Sequence, residues 1–92
     1  MIDLSMMIFG RVQGVYFRKS TEKQAVQYNV TGWVRNRKDG TVEVLAQGEE
    51  EALISLLKWC EKGPRFAKVE RIDINWIKRK EVFSNFDVLA TI

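Results

Sequence analysis

The chain has no histidine, a single cysteine, a single proline and no long apolar run, and each shortage removes a class of function. Without histidine there is no imidazole general base, no phosphohistidine and no His-ligated metal. One cysteine cannot build a Cys-rich zinc site. Nor can Cys60 close an internal disulfide, which fits a reducing compartment. No apolar stretch approaches the roughly 18 residues of a membrane-spanning helix. The opening MIDLSMMIFGR carries Asp3 where a secretory leader wants positive charge, and it lacks a small-residue cleavage site. The expectation is a cytoplasmic protein with no membrane association.

What is present describes an ordinary globular domain. Residues 1–92 are enough for one hydrophobic core and leave no room for a second, and 46% of them are hydrophobic. There are no linkers, repeats or low-complexity segments. A net charge of +3 leaves small anions, phosphates and nucleic acid all open as partners.

Ile2, Leu4, Met6 and Ile8 alternate along one face of a first strand, and Met7 and Phe9 make the other face apolar too. That pattern predicts a central strand covered on much of both sides. A glycine-containing loop follows. Phe17, Thr21, Ala25 and Tyr28 then recur every three or four residues, which predicts a helix from about Arg18 to Tyr28 with Asn29 as its C-terminal cap. Val30 to Arg37 and Thr41 to Gln47 read as two strands joined by an Asp-Gly hairpin at Asp39 and Gly40.

Glu49, Glu50 and Glu51 open a second helix, with Leu53, Leu56, Leu57 and Cys60 on its apolar stripe and Gly63-Pro64 as its stop. Cys60 is read as a buried, inert thiol rather than a nucleophile. Ala67 to Trp76 is a strand, with Ile72, Ile74 and Trp76 on one face. Phe86, Val88, Ala90 and Ile92 mark a last one. The predicted class is α+β. The order β-α-β-β-α-β plus a short C-terminal edge strand is the ferredoxin-like split βαβ plan, with two helices on one face of a mostly antiparallel sheet.

Two segments carry chemistry. In GRVQGVYFR, Gly10 to Arg18, glycines between a strand and a helix allow backbone N–H groups to turn inward around an anion, at a helix N-terminus that adds positive partial charge. Arg18 stands at that helix start, where a cation opposes the helix dipole, so local stability does not explain it. A planar guanidinium beside a ring of amides matches a phosphate. On this loop alone a second reading stands beside the first: turn glycines and a solvated arginine. The other segment is TGWVRN, Thr31 to Asn36. In a split βαβ plan the strand ends at the loop and at Asn36 share one sheet edge, two strand spacings or roughly 10 Å apart. A phosphate and one water fill such a gap. An asparagine amide holds a water without deprotonating it. Asn36 by itself also serves as an ordinary hairpin residue.

Together, GRVQGVYFR, TGWVRN and the hairpin strand DGTVEV resemble the acylphosphatase family, and GPRFAKVERI is similar to its later region. The resemblance implies hydrolysis of the carboxyl–phosphate bond of a small-molecule acyl phosphate, with no metal and no organic cofactor. It implies that Arg18 binds the substrate phosphate and that Gln13, Gly14, Val15, Tyr16 and Phe17 supply backbone amides to its oxygens. It implies that Asn36 positions the attacking water. The ending FDVLATI departs from the aromatic, basic-flanked pattern of many relatives, and it lies far from both motifs in sequence.

Around this centre, Phe17 is expected in the core, Tyr16 toward the acyl group, Trp33 near Asn36, and Lys19 as either a steering charge or a solvated residue. A nucleic-acid-binding sheet is disfavoured, because the strand TVEVLAQ has no aromatic to stack a base. A non-catalytic phosphate-binding module is the second alternative, since related domains begin larger carbamoyl-transferring proteins. A stand-alone, monomeric enzyme is the expectation.

Overall fold

Period-two alternation and the two amphipathic helices give the expected order in the computed structural model, which describes residues 2–92. The elements are β1 (Ile2–Arg11), α1 (Phe17–Gln27), β2 (Thr31–Asn36), β3 (Val42–Gln47), α2 (Glu50–Lys62), β4 (Lys68–Lys78) and β5 (Phe86–Val88). The strands form one sheet in the order β4-β1-β3-β2-β5. Its β1–β3, β1–β4 and β2–β3 pairs are antiparallel, and β5 joins β2 in parallel.

The core lies between one sheet face and the two helices. Leu4, Met6 and Ile8 of β1, Val34 of β2, and Val42, Val44 and Ala46 of β3 point into it, with Phe17, Ala25, Leu53, Leu56 and Cys60 coming from the helices. Helix α1 packs over β2 and β5, and α2 over β4.

Both helix ends behave as their sequences indicate. After α1, Asn29 takes a left-handed φ of 59°. Its N–H donates to the Val26 carbonyl, and the Val30 N–H donates to that of Ala25 at 2.8 Å, the paired bonds of a Schellman stop. After α2, Gly63 has φ 71°, and its N–H reaches the Trp59 carbonyl at 2.8 Å.

Three expectations need correction. The second face of β1 is not covered by another layer, and Met7 and Phe9 there are only half-buried. Side chains serve instead, with the Arg71 guanidinium lying 4.0 Å from the Phe9 ring centre. Gly10 belongs to β1 rather than to the loop. It sits at a register shift against β4, where a Cβ would stand 2.2 Å from the Lys68 carbonyl oxygen. The last strand stops at Val88. Beyond it the Leu89 N–H reaches the Val34 carbonyl and the Ile92 N–H reaches that of Asn36, one residue later than a regular ladder allows. That extra residue breaks the alternation expected for Ala90 and Ile92, and both are exposed.

The segment between β4 and β5 crosses the end of the sheet away from the Asn36 edge. Asp3, only 2% exposed, anchors the crossing. Its carboxylate accepts from Arg79 Nε at 2.8 Å and from Gln47 Nε2 at 3.0 Å, while Gln47 Oε1 accepts from the Phe83 N–H. A buried carboxylate needs such partners, and these three polar groups fix the path to β5.

Candidate active site

Beyond Arg11 the chain turns under two apolar pegs, Val12 and Val15, both buried in the core. Gly14 (φ 73°) and Tyr16 (φ 63°, ψ 26°) are left-handed on either side of Val15. Alternating backbone handedness turns successive N–H groups toward one concavity, the geometry of an anion-binding nest. A left-handed conformation costs a tyrosine about 1–2 kcal/mol. The Tyr16 side chain recovers nothing by burial, being 80% exposed. Its conformation is imposed by its buried neighbours Val15 and Phe17.

Helix α1 begins directly on this loop. No side chain caps its N-terminus, and no acidic residue lies in its first turn. Arg18 is half-buried there, and no ion pair or side-chain hydrogen bond engages its guanidinium among the described residues. Lys19 is different. It pairs with Glu22 at 3.1 Å, which offsets part of its charge. Phe17 is in the core as expected, edge-on to Trp59 with ring centres 5.8 Å apart.

Asn36 reaches the site from the other direction. Gly32, Val34 and Asn36 are the buried positions of β2, so Asn36 ends the row that faces the helices. The register puts Ile8, Val42 and Asn36 on one line across β1, β3 and β2. A single strand separates the loop-bearing strand from Asn36, consistent with a gap of about 10 Å. The Asn36 Oδ1 atom is buried and has no hydrogen-bond partner among the described residues. An unpaired buried acceptor costs about 1–3 kcal/mol, and a water or ligand donor placed there would recover it.

These parts meet in a cleft of about 740 Å³ whose lining includes Gly14, Tyr16, Phe17, Arg18 and Asn36. Gln13 and Val15 lie in the same loop, but their side chains turn elsewhere. Val15 enters the core, and Gln13 Nε2 donates to the carbonyls of Arg37 and Thr41 at 2.7 and 2.9 Å. Trp33 is not near the cleft. It stands an odd number of residues from Asn36, on the opposite sheet face, under the Arg35 guanidinium at 4.5 Å. Strand parity alone predicts that separation.

Sequence reasoning missed Asp87 and Val88, which also line the cleft. They come from the C-terminal strand, distant in sequence but paired in parallel with Trp33 and Val34 of β2. No local pattern announces that pairing.

The remaining chemical candidates lie elsewhere. Cys60 is fully buried, and loss of hydration pushes its thiol up to about 12, against a smaller opposing effect of a hydrogen bond with Thr21. No cluster of three or more His, Cys, Asp or Glu among the described residues is arranged to hold a metal ion. The arrangement therefore offers a nest, an open helix N-terminus and an unengaged guanidinium in one cleft with Asn36. It suits a tetrahedral oxyanion with a water beside it.

Comparison with known proteins agrees with that chemistry. The acylphosphatase family model matches residues 4–88. The chain is 43% identical over 88 residues to an acylphosphatase of Pyrobaculum islandicum, covering 95% of this chain and 93% of that one. It is 49% identical over 75 residues to an acylphosphatase of Thiobacillus denitrificans, covering 82% and 84%. The crystal structure of acylphosphatase from Bacillus subtilis superposes with a TM-score of 0.93 at 37% identity, covering 97% of this chain and 99% of that one. This chain belongs to the acylphosphatase family.

Proposed function

We propose that residues 1–92 act as one domain that hydrolyses acyl phosphates, with Arg18 and the loop amides of Gln13, Gly14, Val15, Tyr16 and Phe17 binding the phosphate and Asn36 orienting the water. Family membership supports the activity. The residue roles rest on geometry, and the cleft that Arg18 shares with Asn36, whose Oδ1 is buried and unpartnered, carries them.

In this reading the phosphoryl group is fixed first. The guanidinium and the nest donate to its non-bridging oxygens and hold the charge spread over them in place while the bond to the acyl oxygen lengthens. A water donates one hydrogen to Asn36 Oδ1, which leaves a lone pair aimed at phosphorus. The water oxygen bonds to phosphorus, the bridging P–O bond breaks, and its electron pair leaves on the carboxylate. Both water protons end on phosphate oxygens, so a dianionic acyl phosphate gives carboxylate and dihydrogen phosphate. A carboxylate is a good leaving group and the transition state is loose, so positioning and charge stabilisation suffice without a protein base.

Every residue in this scheme comes from one chain, so a monomer is sufficient for it. Neither a metal nor an organic cofactor has a step in it. Tyr16 and Val88 line the cleft and are exposed, an opening that tolerates varied acyl groups. On the open sheet face, Arg35 caps Trp33 and Arg71 caps Phe9, leaving no bare aromatic platform for nucleic-acid bases. No helix among the described residues is long and apolar enough to cross a membrane, and a cytoplasmic site of action completes the reading.

The test is benzoate release from benzoyl phosphate with chelator present, using wild type, Arg18→Ala and Asn36→Ala. Wild-type turnover that falls about 100-fold or more in each variant is expected. Full activity in either folded variant overturns that residue's role. No hydrolysis by folded wild type leaves a phosphate-binding module in its place.

A further inference from the structure

We propose that the Gln13 side chain is a positioning residue that sets the distance between the phosphate loop and Asn36. The inference rests on the hydrolytic reading above and goes beyond it, because that reading uses only the Gln13 backbone. Val42, the first residue of β3, pairs with both Ile8 and Asn36. Past that row no strand stands between β1 and β2, yet the loop and the β2–β3 hairpin both continue. The ladder that spaces the two halves of the site ends just where the spacing matters.

Gln13 bridges that opening. Its Nε2 group spends both hydrogens on hairpin carbonyls, 2.7 Å to Arg37 and 2.9 Å to Thr41. Those two residues close the hairpin mouth, where the Arg37 N–H donates to the Thr41 carbonyl at 2.9 Å. Arg37 directly follows Asn36, so the bridge acts one residue from the water-orienting amide. The outer side of the same strand end is held by Ile92, whose N–H donates to the Asn36 carbonyl and whose carbonyl accepts from the Lys38 N–H at 2.7 Å. The end of β2 is thus gripped from both sides, and only the inner grip reaches the phosphate loop. One primary amide supplies two donors in the required fork, which a hydroxyl or an acid cannot do at neutral pH.

A positioning role predicts a particular division of effects. The loop keeps its own nest when the bridge is cut, so phosphate binding persists while the line of attack degrades. Gln13→Met and the isosteric, donor-free Gln13→Glu should lower kcat about 10- to 100-fold. In the uncharged Gln13→Met variant the inhibition constant for inorganic phosphate should stay within about threefold of wild type. In an Asn36→Ala background, Gln13→Met should cost almost nothing more, because its target is already absent.

Unchanged kcat in the folded single variants overturns the proposal. So does an equal loss of kcat and phosphate binding in Gln13→Met, or a full additional loss in the Asn36→Ala background. Should both variants fail to fold, the wild type still decides. Its Gln13 side-chain amide protons, followed by NMR, should exchange slowly with solvent, and fast exchange of both overturns the bridge. Wild type that does not hydrolyse benzoyl phosphate defeats the function itself, whereas active wild type with fully active Gln13 variants defeats only this inference.

Discussion

The two helices are built on opposite principles. Helix α2 satisfies its own electrostatics, with Glu50 and Glu51 in the first turn, Lys62 in the last, and Gly63 closing it. Helix α1 does the reverse. It begins on a strained tyrosine, has no side-chain cap and no acid in its first turn, and carries Arg18 and Lys19 where the dipole disfavours them. The difference teaches where stability and function were separated. The self-sufficient helix anchors the other: Phe17, the first residue of α1, lies edge-on to Trp59, against a glycine that leaves room for its ring. Held from outside, α1 can leave its N-terminus open to an anion.

The sharpest way to break the contrast is Arg18→Ala. Activity on benzoyl phosphate should fall about 100- to 1,000-fold. Thermal unfolding should show stability unchanged or raised by under about 1 kcal/mol, since a cation leaves an unfavourable place. A variant that loses activity because it unfolds contradicts the separation.

Next is Gly63→Ala. A Cβ there would lie 2.8 Å from Phe17 Cε2, at a φ of 71°. A loss of about 1–3 kcal/mol in urea unfolding is expected. Activity of the folded fraction should drop as well, because Phe17 leads into Arg18, and an undisturbed kcat would show that α2 does not anchor the site.

Cys60 sharpens the comparison through pH. Its thiol is held protonated in the fold, up to about 12, against 9.0 as its ordinary value. Above pH 9 the unfolded chain therefore binds fewer protons than the native one, so stability falls as pH rises, by about 1.4 kcal/mol per unit at most. Cys60→Ala should flatten that alkaline slope in pH-dependent unfolding, and thiol reagents should label wild type only upon unfolding.

The smallest effect belongs to Glu51→Gln. Loss of one first-turn carboxylate of α2 should cost about 0.3–1 kcal/mol, less in high salt, with kcat unchanged. A salt-independent cost would point to something other than the dipole.

Much of this was readable along the chain. The hairpin at Asp39-Gly40, the Glu-led start of α2 and the left-handed stop at Asn29 each depend on a few adjacent residues, and each appears where expected within a residue or so. Arg18 stood out in the sequence because a cation at a helix start opposes the dipole, whereas Asn36 alone reads as a hairpin residue and gains a site role only from the shared sheet edge and the family resemblance. Gly10 was misplaced because a glycine inside a strand and one in a loop look alike until the neighbouring strand is known. The apolar second face of β1 was misread for a related reason. Partial cover by Arg71 needs a residue that is 62 positions from Phe9.

Local chain chemistry thus accounts for the elements, their order, their caps and the arginine that opposes its surroundings. Tertiary pairing accounts for the rest. It put Asp87 and Val88 into the cleft with Asn36, left Asn36 Oδ1 buried without a partner, and joined Gln13 to the hairpin. Helix caps and strand alternation act through bonds and sterics between near neighbours, so residue order encodes them directly. Cleft walls form between segments that meet only after the sheet has assembled, and their composition depends on strand order and register.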